Sequence, residues 1–230
     1  MEKLGEKQNR QQKGLSSEII FEKFCNKNGV SCIWLERDNE ARIKFLENPQ
    51  GKCPDFLCSK DNNQIFVEVK THTLLTNMAR EKIVNRKIIE FKAAGLSGGP
   101  TSEPFDPIPE LKVPFEGYLR KASEKFKNID NKNKFPRVLL LDGFLLGGFD
   151  IPVIFLGVYP SYRKDYKENN LVYVGLSKKH FGLFDSTGSN VSAIVYWNKN
   201  LKRYEGMANP RARIALLEND FKKFFEIHHD

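Results

Sequence analysis

Residues 64–70 alternate between apolar and polar positions, and this pattern constrains the fold more than any other feature of the chain. Successive side chains of a β-strand point to opposite faces, so the isoleucine and valines of the segment are predicted on one face. Phe66, Glu68 and Lys70 are predicted on the other face. The short apolar segment 55–59 precedes it across a Lys-Asp-Asn-Asn turn. Together the two segments predict a β-hairpin.

Charged side chains gather at one end of this predicted hairpin. Antiparallel pairing places Asp55 near the strand end that carries Glu68 and Lys70. Carboxylate oxygens are the ligands that Mg²⁺ prefers, and a neighbouring lysine can orient or help deprotonate a water molecule. The sequence therefore predicts a magnesium site with a lysine beside it.

Helical and extended patterns surround the hairpin. Apolar residues at helical spacing predict a helix over 15–28, ended by Gly29, after a polar N-terminal arm that we expect to be mobile. Residues 31–36 predict a strand, and the charged residues 37–52 predict no regular element.

A long segment separates the hairpin from the next predicted elements. Residues 76–114 are interpreted as a lid-like insertion, with a basic amphipathic helix over 76–93 and a loop rich in Gly and Pro after it. A second helix is predicted over 115–128 and a strand over 137–142. No repeat or shift in composition divides the chain, so residues 1–230 are predicted to form a single α/β domain.

The C-terminal part predicts more β-structure and a final helix. Strand-like stretches occupy 171–176 and 190–197, and an amphipathic helix is predicted to begin after Asn209-Pro210. Core packing is the preferred use of its apolar residues, and contact with a second copy is the alternative. These residues are Ile214, Leu217, Phe221, Phe224 and Phe225.

The hairpin motif resembles that of a known superfamily. Pro54-Asp55, followed after twelve residues by Glu68-Val69-Lys70, resembles the signature of the PD-(D/E)xK, or restriction-endonuclease-like, nucleases. Acid-x-Lys triplets are frequent in this chain, but this one alone follows Pro-Asp across a turn on an alternating strand.

The predicted order of elements over residues 14–142 also resembles the core of that superfamily: helix, three strands, helix, strand. The resemblance implies a mixed central sheet flanked by helices. Residues 143–230 would then form a β-containing C-terminal extension.

The resemblance implies a Mg²⁺-dependent deoxyribonuclease in which Mn²⁺ can substitute. Asp55 and Glu68 would be metal ligands, the carbonyl of Val69 a further ligand, and Lys70 the residue that acts on the water. The spacing Gly14-x3-Glu18 in the first helix resembles the position of an additional catalytic and metal-side carboxylate. Glu22, one turn later, is the alternative to Glu18.

Basic residues suggest where a nucleic acid would bind. The net charge of +8, from 37 Lys and Arg against 29 Asp and Glu, suits a polyanionic partner, although an ordinary basic protein is the alternative. The helix over 76–93 would contact phosphates, or it would be a solvated lysine-rich face. Its candidate residues, with two others near the site, are Arg80, Lys82, Arg86, Lys87, Lys92, His72 and Lys125.

Four cysteines occur at spacings that match no common zinc motif. Cys25, Cys32, Cys53 and Cys58 are therefore interpreted as reduced, mostly buried thiols, with a four-cysteine metal site as the alternative. No apolar run approaches the roughly 20 residues of a membrane span, and no secretory signal is visible, so a cytoplasmic location is expected.

These observations predict a DNA endonuclease of restriction, repair or mobile-element type that acts on double-stranded DNA. A homodimer is a further hypothesis, because cutting both strands with one site in each chain usually requires two copies. A catalytically inactive nucleic-acid-binding protein with the same fold is the main alternative. An enzyme acting on a small molecule is the third hypothesis.

Overall fold

A computed structural model describes residues 2–71, 108–142, 154–156, 158–165, 170–178, 182–186, 188–198 and 201–226. Its helices are α1 (Glu2–Lys27), α2 (Asn39–Phe45), α3 (Ile108–Lys127), α4 (Leu183–Ser186) and α5 (Glu218–Phe225). Its strands are β1 (Ser31–Trp34), β2 (Phe56–Lys60), β3 (Asn63–Thr71), β4 (Arg137–Asp142), β5 (Val158–Asp165), β6 (Asn170–Lys178), β7 (Ala193–Asn198) and β8 (Arg203–Ala208). No helix among these residues combines the length and the apolarity that a membrane span requires.

A six-stranded sheet with the order β1-β2-β3-β4-β7-β8 lies at the centre of this structure. The first three strands pair antiparallel, β4 runs parallel to both β3 and β7, and β8 pairs antiparallel to β7. The chain is thus an α/β protein with an open mixed sheet flanked by helices, as predicted. Because β7 and β8 lie beyond residue 142, the C-terminal extension supplies one edge of this sheet. Strands β5 and β6 form a separate antiparallel pair.

The turn between β2 and β3 explains the register of the central hairpin. Lys60 pairs with Asn63, so Asp61 and Asn62 form a two-residue loop. Both have positive φ angles, of 47° and 63°, which Asp and Asn tolerate better than most residues. The predicted hairpin is confirmed, with β2 shifted by one residue and β3 extended by one at each end.

Apolar side chains cover both faces of the sheet. One face packs against α2 and α3, and the other packs against α1 and α5. In β3, Phe66 belongs to the first core and Val67 to the second, which confirms the predicted alternation. Glu68 lies on the same face as Phe66 and is fully buried, with 0% of its surface exposed.

Two helical features at the N-terminal end differ from the sequence predictions. Helix α1 begins at Glu2, so the polar arm expected to be mobile is helical. Helix α2 lies inside the charged segment 37–52, where no element was predicted. Asp38 caps it by accepting a hydrogen bond from the Ala41 amide at 2.9 Å, and Ala41 and Phe45 anchor it in the core.

The C-terminal helix is shorter than predicted. Residues 211–217 are not helical, because the Asn209 side chain and neighbouring amides bind the loop before β7. The Asn209 amide donates to the carbonyls of Gly188 and Val191, and the Arg213 amide donates to the carbonyl of Ser189. Strand β8 was not predicted.

Core packing by this terminal segment is confirmed in part. Phe224 and Phe225 are buried beside α1, whereas Leu217 is 63% exposed, contrary to its predicted position in the core.

The second predicted helix is confirmed as α3, which begins at Ile108 and therefore includes the last residues of the predicted loop. The basic helix over 76–93, the rest of the insertion and His72 lie outside the described residues, as do Arg80, Lys82, Arg86, Lys87 and Lys92. Predictions about them stay untested.

Candidate active site

Asp55 lies immediately before β2, at the end of the hairpin opposite its turn. In the antiparallel register Phe56 pairs with Val67, so the residue before Phe56 faces the segment that carries Glu68. The Val69 amide donates to Asp55 Oδ2 at 2.7 Å, and the carbonyl of Asp55 accepts from the Leu35 amide at 3.0 Å. Asp55 is 5% exposed, and its other carboxylate oxygen, Oδ1, accepts a hydrogen bond from Lys125.

Glu68 extends from the middle of the sheet and makes ion pairs with two lysines. Its Oε1 pairs with Lys70 on the same face of β3, and its Oε2 lies 2.9 Å from the Nζ of Lys125. Oε2 accepts no hydrogen bond of good geometry from the described residues, despite this short ion pair. The ammonium of Lys125 therefore supplies the opposite charge that this buried carboxylate oxygen requires.

Lys125 projects from α3 into the space between the two acids. Its Nζ lies 2.9 Å from Asp55 Oδ1 and 2.9 Å from Glu68 Oε2, and 3.9 Å from Glu36 Oε1. Its side chain is 19% exposed. The residue predicted near the site is therefore directly between the two predicted metal ligands.

Helix α1 brings Glu18 to the same group of charges. Burial, followed by the charges of Asp55 and Glu36, raises the pKa of Glu18 to about 7. The charges of Lys125 and Lys70 act in the opposite direction. This part of α1 is joined to β3 by a 2.8 Å hydrogen bond between the hydroxyls of Thr71 and Ser17.

Glu22, the alternative to Glu18, is engaged elsewhere. Its Oε1 accepts a hydrogen bond of 2.6 Å from the indole nitrogen of Trp34. Its charge acts on the thiols of Cys25 and Cys32. The structure therefore brings Glu18, and not Glu22, to Asp55 and the two lysines.

The acids and the lysines of the site shift one another's pKa values. Burial, followed by the charge of Asp55, raises the pKa of Glu68 to about 7. Burial lowers the pKa of Lys125, but the charges of Glu68 and Asp55 more than offset this and raise it above its usual value. Close acids of like charge are held together here by an ammonium group.

These residues fit a hard divalent cation by their donor chemistry. Asp55 and Glu68 offer buried carboxylate oxygens, and Glu18 lies beside them. The ammonium of Lys125 lies between the two acids, so it would have to move for a metal to contact both. For Val69, the contact with Asp55 is made by its amide, and its predicted use as a carbonyl ligand is not tested.

Sequence reasoning missed two features of this site. Glu36 follows β1 and contributes a further negative charge beside Glu18 and Lys125. The sequence feature that could have revealed Glu36 is its position at the end of an apolar strand segment near the motif. The family resemblance placed Lys125 near the site, but its bridging of Asp55 and Glu68 had no local signal, because these residues are 70 and 57 positions from Lys125.

Three of the four cysteines meet on the other face of the sheet. Cys25, Cys32 and Cys58 have Sγ atoms within 4.8 Å of one another, and all four cysteines are free thiols. Hydrogen bonds from the thiols of Cys25 and Cys58 lower the pKa of Cys32 to about 5. Cys53 lies apart, which removes the four-cysteine alternative in favour of a group of three.

Comparison with protein-family models, with curated proteins and with solved structures finds no match for the chain. The fold and the geometry of the site are thus the basis for any functional conclusion.

Proposed function

We propose that the protein is a metal-dependent nuclease of the PD-(D/E)xK superfamily that hydrolyses phosphodiester bonds in DNA. The observation that carries the proposal is the convergence of Asp55, Glu68 and Lys70 from the motif with Glu18 from α1. These groups come from three separate elements and meet at one end of the central sheet.

The order of elements supports the same proposal. Helix α1 precedes three antiparallel strands, and α3 leads into β4, which is parallel to β3. This order is similar to that of the restriction-endonuclease-like core. Catalytic residues of open α/β sheets commonly lie at the carboxyl ends of parallel strands, where Glu68 and Lys70 lie on β3.

The acids would hold Mg²⁺, or Mn²⁺ in its place. Asp55 and Glu68 are the ligands that the geometry favours, Glu18 supports the metal side, and the Val69 carbonyl is a further proposed ligand. Bound Mg²⁺ would polarise the phosphoryl oxygen and offset charge on the departing 3′ oxygen.

Lys70 is proposed to act on the attacking water. Its side chain is 22% exposed, in contrast to the enclosed carboxylate of Glu68 with which it pairs. An ammonium fixed by a buried acid at the border with solvent can orient a water molecule toward a phosphate. The rigid strand β3 keeps Lys70 and Glu68 on one face.

The proposed substrate is double-stranded DNA, cut by an endonuclease of restriction, repair or mobile-element type in the cytoplasm. Net charge of +8 supports attraction to phosphates. The basic residues at 80–87 and His72 are proposed contacts, and a homodimer is proposed for cutting both strands.

An inactive DNA-binding protein with this fold is the second candidate, and the position of Lys125 favours it. Its ammonium is 2.9 Å from both Asp55 and Glu68, so it occupies the place that a divalent metal would take. If Lys125 holds that place permanently, the acids are neutralised and no metal binds. DNA affinity without Mg²⁺ binding and without cleavage is the expected behaviour of this candidate.

Plasmid and linear DNA incubated with the protein and Mg²⁺, Mn²⁺ or EDTA test the proposal. We expect nicked and linear plasmid with either metal and no product in EDTA. Asp55→Ala and Lys70→Ala should abolish cleavage, because they remove a metal ligand and the residue that acts on water. Lys52→Ala is the matched control, since the side chain of Lys52 is 74% exposed and pairs only at the surface with Glu124.

Cleavage that persists in EDTA, or that survives Asp55→Ala, contradicts the proposed mechanism. Binding of the same DNA without cleavage at any metal concentration selects the second candidate. The absence of DNA affinity even at low salt contradicts both the nuclease and the inactive DNA-binding protein. It would favour the third hypothesis, an enzyme that acts on a small molecule.

A further inference from the structure

Three thiols that are distant in sequence come together on the face of the sheet opposite to Glu68. Cys25 lies near the end of α1, Cys32 on β1 and Cys58 on β2, and their Sγ atoms all lie within 4.8 Å of one another. Cys25 and Cys58 are 1% and 0% exposed. We call these three residues the thiol cluster.

The fold fixes this arrangement through strand register and helix packing. Cys32 and Cys58 are direct partners in the antiparallel pairing of β1 and β2, and their Sγ atoms are 3.0 Å apart. Helix α1 packs over this face, and the amide of Val30 donates to the carbonyl of Cys25 at 2.9 Å where the chain turns into β1. The positions of all three sulfur atoms are therefore set by regular structure.

Sulfur donors grouped in this way suit a thiophilic metal ion. Thiolates around tetrahedral Zn²⁺ have Zn–S distances of about 2.3 Å, which places neighbouring sulfur atoms about 3.8 Å apart. Separations between 3.0 Å and 4.8 Å bracket this value, so small changes in the side-chain torsion angles would let all three sulfur atoms contact one ion. Soft thiolates favour Zn²⁺ or Cu⁺ over Mg²⁺.

We propose that the thiol cluster binds one thiophilic metal ion, Zn²⁺ in the first instance, at a site separate from the acid and lysine cluster. Cys32 is partly exposed and gives the ion a path of entry. The fourth position of the tetrahedron is left to water or to the carboxylate of Glu22, which lies one helical turn before Cys25. The site does not depend on the proposed nuclease activity.

The bound ion would join α1, β1 and β2 to one another. Seven residues, about two helical turns, separate Cys25 from Glu18 in α1, and Cys58 is three residues after Asp55. Metal binding here should therefore stabilise the elements that carry two acids of the other site. A structural zinc site contributes directly to the free energy of folding.

Titration of the reduced, metal-free full chain with Zn²⁺ in excess Mg²⁺ tests the site, with a chromophoric chelator as competitor. Excess Mg²⁺ occupies oxygen ligands, so the measurement reports sulfur ligation. We expect one Zn²⁺ per chain and a higher melting temperature. Cd²⁺ in place of Zn²⁺ should give the ultraviolet charge-transfer band of thiolate ligands.

Variants distinguish the thiol cluster from other ligands. Cys32→Ser should weaken Zn²⁺ binding by more than about 100-fold, since loss of a direct ligand exceeds the usual effect of an outer partner. Cys53→Ser is the matched control, because Cys53 is also buried but lies outside the cluster, and it should bind as the wild type does. Asp55→Asn should also bind Zn²⁺ normally.

Alkylation of the native wild-type protein provides a test that needs no substitution. Cys32 is the partly exposed thiol of the cluster, so Zn²⁺ should protect it from iodoacetamide and Mg²⁺ should not. Unchanged alkylation with Zn²⁺, or equal Zn²⁺ affinity in Cys32→Ser and Cys53→Ser, would overturn the proposal. A Cys32–Cys58 disulfide in protein kept under reductant, seen as a mass lower by two hydrogens, would overturn it as well.

Discussion

The ammonium group of Lys125 lies 2.9 Å from the carboxylates of both Asp55 and Glu68. Whether a metal ion can bind these carboxylates therefore depends on this residue. With no other cation present, it offsets the repulsion between two enclosed acids. In the proposed enzyme, the same position would make it a competitor of Mg²⁺. At the scale of residues, the proposal therefore requires Lys125 to move away from the two acids when a metal binds.

Replacing Lys125 by glutamine should increase the affinity for Mg²⁺ by about tenfold or more, because a competing unit charge a few ångströms from the ligands is removed. The metal-free variant should also melt at a lower temperature, since two acids lose their shared partner. Calorimetric titration with Mg²⁺ measures the affinity. Lys121→Gln, on an exposed position one turn earlier in α3, is the control and should behave as the wild type does. Weaker Mg²⁺ binding in Lys125→Gln would show that Lys125 supports the metal.

The raised pKa of Glu18 predicts a pH dependence of stability in the metal-free protein. Its pKa is 4.5 ordinarily and about 7 in the folded chain, so the folded state binds more protons between these values. The free energy of unfolding contributed by Glu18 is therefore greatest at low pH and falls as pH rises from about 4.5 to 7. Added Mg²⁺ should reduce this loss, because it favours the ionised carboxylates.

Urea denaturation in EDTA across this pH range measures the effect. Glu18→Gln should lose less stability than the wild type between about pH 4.5 and 7, and Glu40→Gln, at an exposed position of α2, should follow the wild type. Parallel pH profiles for the wild type and Glu18→Gln would contradict the account of Glu18.

At the scale of elements, local sequence patterns predicted strand β3, but they did not predict helix α2 or strand β8. The alternation in β3 and the turn residues Asp61 and Asn62 act between near neighbours, so the hairpin can be recognised from the sequence. Helix α2 has only seven residues, and its capping residue Asp38 lies in a charged segment without a clear helical pattern. Strand β8 exists because it pairs with β7, and its own sequence has little apolar alternation.

The residues of the candidate sites also differ in how well local sequence patterns predicted them. Asp55, Glu68 and Lys70 lie close in sequence on a hairpin, so their proximity followed from strand geometry. Lys125 and the thiol cluster depend on how α3 and α1 pack on the sheet, and no local pattern encodes that packing.

The side chain of Asn209 holds the C-terminal segment in place through hydrogen bonds to the backbone. It is 4% exposed, its side-chain amide donates to the carbonyls of Gly188 and Val191, and its Oδ1 accepts from the Arg211 amide at 2.9 Å. Asn209→Ala should lower the free energy of unfolding by about 2 kcal/mol, because buried backbone groups lose their partners. Asn219→Ala, at an exposed position of α5, is the control for urea denaturation. Equal stability of the two variants would contradict this role.

At the scale of the whole molecule, one sheet separates two candidate sites of different chemistry. Glu68 lies on the face covered by α2 and α3, with oxygen donors and lysines around it. The thiol cluster lies on the face covered by α1 and α5 and offers three sulfur atoms. Hard and thiophilic cations are therefore expected to sort between the faces. The chain's net charge of +8 favours approach of a polyanion such as DNA.

Single-turnover cleavage of DNA by Glu68→Gln tests the central claim most directly, because it changes one buried oxygen to an amide at nearly constant shape. We predict a rate at least about 10³-fold below that of the wild type in Mg²⁺, with DNA affinity retained. Glu40→Gln, an exposed control on α2, should cleave at the wild-type rate. Metal-dependent cleavage by Glu68→Gln at the wild-type rate would contradict the claim that this cluster is the active site of a nuclease.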